Sequence, residues 1–147
     1  MLQKKYLLGG LALFAVLLFS AQVFAQVDKR QALMKDNSAA NKAIKGAVEA
    51  KDYATIEAKA KDIMGNADQI VGLFPKGSDK GKTKATAAIW DKSDDFAKAA
   101  KSLSKAAGEL VAAAKAKDEA AVPVKVKAMG DACGACHKAF RAEKYPE

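Results

Sequence analysis

Cys133, Gly134, Ala135, Cys136 and His137 form one C-x-x-C-H run that joins the only two cysteines of this 147-residue chain to its only histidine. The run reads as covalent attachment of haem c: two thioether bonds fix the porphyrin edge to the chain, and the adjacent imidazole lies close enough to ligate the iron from one face. Any fold open to the chain must therefore supply a dry pocket beside a segment near its C-terminus. The other uses of paired cysteines fit badly. A structural zinc site needs four ligands, and no second Cys/His pair is present to close the tetrahedron. A thioredoxin-like dithiol needs a βαβ setting, which the helical pattern below does not offer. A disulfide would close a loop of only two residues and leave His137 without a role.

The first residues carry a basic start (Lys4, Lys5), an apolar run of 14 residues from Tyr6 to Phe19, and Val23-Phe24-Ala25 as a small-residue cleavage site. This is the pattern of a secretory signal peptide, and the run is short for a membrane span. We expect residues 1–25 to be removed, leaving a mature domain of residues 26–147 without stable membrane insertion. Haem c is attached after export, so the expected compartment is a bacterial periplasm.

That mature chain is of a length for one domain with a single core. Without Lys4 and Lys5 it holds 23 basic and 17 acidic residues, a net charge of +6. The basic residues alternate with alanine along helical stretches and are not interleaved with aromatics, so they read as solvated helix faces. Nucleic-acid binding is not expected, whereas a basic surface suits encounters with acidic redox partner proteins.

Ala, Lys, Glu, Asp and Leu dominate the mature chain, and no strand pattern is visible. A first helix is expected from about Asp28 to Ala50, with Leu33, Ile44, Ala47 and Val48 on its apolar side. A second, from about Asp52 to Leu73, places Ile56, Ala60, Ile63, Ala67, Ile70 and Val71 at intervals of three and four. The stretch Phe74 to Thr83, with one proline and two glycines, then breaks the pattern, and the connection runs on to Trp90. In the third helix Ser93 is the expected N-cap, Asp94 and Asp95 occupy the first turn, and Phe96, Ala100, Leu103, Ala107, Leu110 and Ala114 form the buried stripe. The fourth helix starts near Glu119, has Pro123 in its first turn and carries the haem motif towards its end. The turns around Lys51 and Lys117 read as ordinary. The expected fold class is all-α: an antiparallel four-helix bundle with one long middle connection.

Gly77 to Thr83 has a passing likeness to a phosphate-binding P-loop, but it has one residue too few between its glycines and follows a helix instead of a strand. Nucleotide binding is set aside. On the last helix, Cys133, Cys136 and His137 fall at i, i+3 and i+4, so they share one face and can point into the bundle.

A C-x-x-C-H ten residues from the C-terminus, on the last helix of an all-α chain, resembles the class II cytochromes c, the cytochrome c′ and cytochrome c-556 family. The resemblance extends to Arg30-Gln31-Ala32-Leu33-Met34 in the first helix, to Ala88-Ile89-Trp90 before the third, and to Cys136-His137-Lys138-Ala139-Phe140-Arg141 at the end. It implies that Cys133 and Cys136 hold haem c and that His137 is the proximal iron ligand. It also implies that Arg30 and Gln31 lie near the haem propionates and Arg141 beside the proximal face, although arginines on helices are also commonly just solvated. Family members often pair as homodimers through the first two helices.

With one histidine, bis-histidine ligation within the chain is excluded. The sixth iron position is left to Met34, Met64, Met129, a lysine, or no protein ligand. Met129 lies two turns before His137 on the same helix and is poorly placed for the opposite haem face, and Met64, beside Ile63, suits core filling. Met34 stands where the resemblance places the residue overhanging the distal face. That residue is a non-ligating apolar side chain in typical cytochromes c′ and methionine in the cytochrome c-556 branch, which is the closer likeness. The expectation is thus a periplasmic monohaem electron carrier, turning over no substrate, whose low-spin iron is ligated by His137 and Met34. The alternative is a cytochrome c′-like five-coordinate haem that binds nitric oxide or carbon monoxide.

Overall fold

In the computed structural model the backbone is described for residues 3–145 and the side chains for residues 25–145. Residues 1–24 of the expected signal peptide therefore fall, for their side chains, outside the described residues. Five α-helices follow one another: α1 (Gln3–Glu49), α2 (Tyr53–Gln69), α3 (Ala88–Asp91), α4 (Ser93–Lys115) and α5 (Ala121–Phe140), with a 3-10 turn at Val71–Leu73 after α2. The four long helices make the bundle: α1 packs on α2, α2 on α4 and α4 on α5, while α5 meets α1 only briefly. Among the described residues there is no strand beyond a single bridge between Ala85 and Arg141, and no helix is long and apolar enough to cross a membrane.

The three-four spacing of apolar side chains accounts for the core. Ile56, Ala60, Ile63 and Ala67 of α2 are all buried, as are Phe96, Ala100, Leu103, Ala107, Leu110 and Ala114 of α4. Ile44 of α1, Leu110 of α4 and Met129 of α5 are wholly sealed between them. Much of the facing surface is alanine, which lets the helices approach closely, and each buried aliphatic chain among them contributes about 1.5–3 kcal/mol.

Three expectations are corrected. α1 does not begin at Asp28 but continues back to Gln3, as no proline or glycine interrupts the chain between Gly10 and Gly46. Val71, expected on the buried stripe of α2, is 46% exposed, because the α-helix stops at Gln69 and the tighter 3-10 turn rotates Val71 off that stripe. Ser93 is not the N-cap of α4. The short helix α3 ends only two residues earlier, and Lys92, with extended φ of −124°, occupies the cap position and offers its carbonyl to Phe96 N–H at 3.0 Å.

The turns at Lys51 and Lys117 are not ordinary. Each lysine is left-handed, φ 54° and 53°, and each closes the preceding helix with the same pair of bonds. Lys51 N–H reaches Val48 C=O and Asp52 N–H reaches Ala47 C=O, while Lys117 N–H reaches Ala114 C=O and Asp118 N–H reaches Ala113 C=O. The aspartate that follows then caps the next helix: Asp52 accepts from Thr55 N–H at 3.0 Å, and Asp118 from Ala121 N–H at 2.9 Å. Lys51 and Glu119 pair at 2.9 Å, so the two turns lie side by side at one end of the bundle.

Candidate haem site

The other end is built around α5. Its core stripe runs Val122, Val126, Met129, Cys133, Cys136, Phe140, so both cysteines continue the buried face and pack half-buried against the core. His137, one residue past Cys136, is turned about 100° from it and lies exposed at the edge of the stripe, not inside the bundle as expected. It does line a cavity of about 520 Å³ between α1 and α5, neighbouring helices that meet only briefly.

That cavity brings together residues more than a hundred positions apart. Arg30, Gln31 and Met34 line it from α1, and Cys136, His137 and Arg141 from α5 and its end. Phe74 and Phe96 form its apolar inner wall with Phe140. Their rings stack edge-to-face, Phe74 to Phe96 at 5.0 Å and Phe96 to Phe140 at 5.2 Å, which holds the wall rigid. Cys133 does not line it and sits one turn before Cys136. Met129 is fully buried in the core, and Met64 packs against α4, its sulfur 3.4 Å from where a side chain at Gly108 would begin. Neither faces the cavity.

Arg30 is 3% exposed and anything but a solvated helix arginine. Its Nη1 donates to Ser78 Oγ at 2.8 Å, and its Nη2 to the Ser78 carbonyl at 2.5 Å and Thr83 Oγ1 at 2.6 Å, with the guanidinium 4.5 Å above the Phe74 ring. Gln31 Nε2 donates to the Lys82 carbonyl at 2.5 Å. One turn of α1 thus holds the 78–83 loop against the cavity wall. Ser78 and Thr83, themselves buried, went unnoticed in the sequence; small hydroxyl residues in a lysine-rich loop were the only signal. The Arg30 bonds are to neutral oxygens. Burial lowers its pKa and the nearby Asp79 charge raises it again, and no carboxylate among the described residues lies within ion-pair distance. A buried cation without a partner anion, lining an apolar cavity, is a fitting neighbour for a propionate.

The chain after the motif is fixed by backbone bonds. Thr86 N–H and Oγ1 both donate to the Phe140 carbonyl at 3.1 Å, and Ala142 N–H donates to the Lys84 carbonyl at 2.8 Å. Trp90 Nε1 donates to the Phe74 carbonyl at 3.0 Å, tying α3 to the same wall. Burial pushes both cysteine thiols above their ordinary range, so they are neutral at pH 7. Local desolvation, then the Arg141 charge, hold His137 below its ordinary range, which favours the neutral imidazole that binds a metal. Among the described residues no three His, Cys, Asp or Glu side chains group to hold a metal ion directly.

The donor set therefore fits haem c: two thiols on a core stripe, an imidazole beside them held towards its neutral form, an apolar wall, and a buried cation without a partner anion in the lining. Such an arrangement defines a c-type cytochrome of all-α build. The comparisons with known proteins agree. A family model described as Cytochrome C′ matches residues 25–141. Cytochrome c-556 of Agrobacterium tumefaciens (strain II Chrys) is 34% identical over 122 residues, 81% of this chain and 98% of that protein. Cytochrome c′ of Rhodospirillum rubrum is 41% identical over 85 residues, 57% of this chain and 58% of that one. The crystal structure of cytochrome c′ from Thermochromatium tepidum superposes with a TM-score of 0.75 at 30% identity, covering 81% of this chain and 95% of that chain. The chain belongs to the cytochrome c′ family. It is a monohaem c-type cytochrome with a four-helix-bundle fold, and Cys133 and Cys136 are positioned for covalent attachment of haem c.

Proposed function

We propose that this protein carries single electrons, with the iron held between His137 and Met34. One observation supports this above others: of the three methionines after the initiator, Met34 alone lines the cavity that His137 lines, and it does so from the opposing helix. With haem c bound, a thioether from Met34 opposite the His137 imidazole would favour a low-spin iron of raised potential, which suits electron transfer. In this reading haem c would supply the redox couple; Cys133 and Cys136 would tether it, Phe74, Phe96 and Phe140 exclude water, Arg30 and Gln31 lie near its propionates, and Arg141 sit beside its proximal face. The reading has no substrate turned over. The matches to cytochrome c-556 proteins over most of the chain support it.

A second reading is favoured by the equally strong likeness to cytochromes c′. In it Met34 only packs on the distal face, and the open iron takes nitric oxide or carbon monoxide. Visible absorption of the purified holoprotein, oxidised and reduced, with and without carbon monoxide, separates the two. A low-spin spectrum indifferent to carbon monoxide is expected; a high-spin spectrum that shifts at once would replace electron carriage with gas binding.

Export belongs to the same proposal. The family match begins at residue 25, where the leader pattern ends, and the expected product is a periplasmic domain of residues 26–147. The mass of the protein from a periplasmic extract tests it: the intact chain there would contradict removal of residues 1–25. Homodimerisation is proposed too, supported by a cytochrome c′ of 28% identity with a ligand-controlled dimer dissociation; gel filtration of the holoprotein eluting as a monomer would count against it.

A further inference from the structure

The charge of this protein is not spread over its helices. Two short segments, 76–84 and 138–144, hold seven basic and two acidic residues, a net +5, while the rest of residues 26–147 holds 16 basic against 15 acidic. The fold brings these segments side by side, through the Thr86 to Phe140 and Ala142 to Lys84 bonds, so nearly the whole excess gathers at the haem end. One of the two acidic members is paired there: the Asp79 carboxylate, 3.1 Å from Lys80 Nζ, is held below its ordinary range by that lysine and, more weakly, by Arg30. The backbone carbonyl of Glu143 accepts from Lys84 Nζ, which ties the two segments together once more.

Between the segments lies a surface groove of about 740 Å³, with Lys80, Lys82, Lys144 and Tyr145 on its walls. Thr83, Ala85 and Tyr145 line both this groove and the haem cavity, so one layer of side chains separates them. Lys82, Lys138 and Lys144 are exposed, and none forms an ion pair among the described residues. A second copy of this chain meeting this face would bring like charge onto like charge.

We propose that this groove is the electron-exchange face, docking an acidic redox protein whose carboxylates meet Lys82 and Lys144 and whose own redox centre then lies across one residue layer from the haem. The proposal rests on the electron-carrier reading and assigns that function a place. Such local fields raise encounter rates by about 10–1,000-fold and fade as salt screens them. The remaining surface, nearly balanced in sign, exerts no comparable pull.

The test uses the reduced holoprotein with ferricyanide as a small anionic oxidant and a tris(phenanthroline)cobalt(III) salt as a cationic one, mixed by stopped flow at rising ionic strength. Three proteins are compared: wild type, Lys82→Glu/Lys144→Glu, and a control Lys45→Glu/Lys101→Glu with the same change of total charge on exposed helix faces. The first pair should slow oxidation by ferricyanide about tenfold at low salt and speed oxidation by the cobalt complex, while the control shifts either rate by less than about twofold. Equal effects from both pairs would overturn the proposal while leaving electron carriage intact. Co-sedimentation with phosphatidylglycerol vesicles supplies the rival outcome. Retention of wild type and the control but not of Lys82→Glu/Lys144→Glu, with equal oxidation rates for all three, would assign the groove to a membrane surface and reject the protein partner.

Discussion

At one end of the bundle the chain reverses in three residues after α1 and in five after α4; at the other, 23 residues separate α2 from α4. The short turns complete themselves locally, each with a left-handed lysine, two backbone bonds to the helix just ended and an aspartate capping the helix to come. The haem end has no such self-sufficiency. Its loop is held by Arg30 across 48 and 53 positions and by Phe140 across 54, and its wall is a stack of rings from three different segments. One end is thus a property of the nearby sequence, the other of the assembled fold. That division lets a bundle of nearly constant shape carry a cavity whose lining is free to differ.

The sharpest way to break the comparison is to remove the tethers. Cys133→Ala/Cys136→Ala should lose covalent haem completely, read as haem released into acidified acetone, while Lys51→Gly and Lys117→Gly retain it in full. Next in size is the loop clamp. Arg30→Ala leaves Ser78 and Thr83 buried without their donor and should cost about 2–4 kcal/mol in denaturant unfolding of the holoprotein. Limited proteolysis should then cut within residues 76–84 well before the turns at 50–52 and 116–120; simultaneous cutting at both ends would mean the ends are not independent. Smaller effects belong to the turn end. Lys117→Gly removes a side chain from a left-handed position and should stabilise by about 0.5–1 kcal/mol. Asp118→Ala should lose about 1 kcal/mol with its cap, and neither change should move the visible spectrum.

The same contrast explains what was legible in the sequence. The stripes of α2 and α4 were readable because burial there follows helical period alone, and Met129 could be set aside as a ligand by its place on the helix of His137. The cysteine motif announced the cofactor because its chemistry is carried by five adjacent residues. The Ala-Lys-Asp repeat at both turns was visible as text, yet lysine is not a residue expected at positive φ, so its geometry was not. Arg30 was singled out on the first helix, but its grip on Ser78 and Thr83 depends on a loop fold that no local pattern encodes. The charge looked dispersed for a related reason: segments 76–84 and 138–144 are far apart in the chain and adjacent only once the bridge between Ala85 and Arg141 forms. Joining two such segments is a tertiary event.

The account turns on Met34 facing His137 across the cavity between α1 and α5. Its most direct test is the ferric spin state, by electron paramagnetic resonance, of the wild-type holoprotein beside Met34→Ala and Met64→Ala. The account predicts a low-spin iron in the wild type and in Met64→Ala, and a high-spin iron in Met34→Ala. A high-spin wild type, or a Met34→Ala protein that stays low-spin, would contradict it.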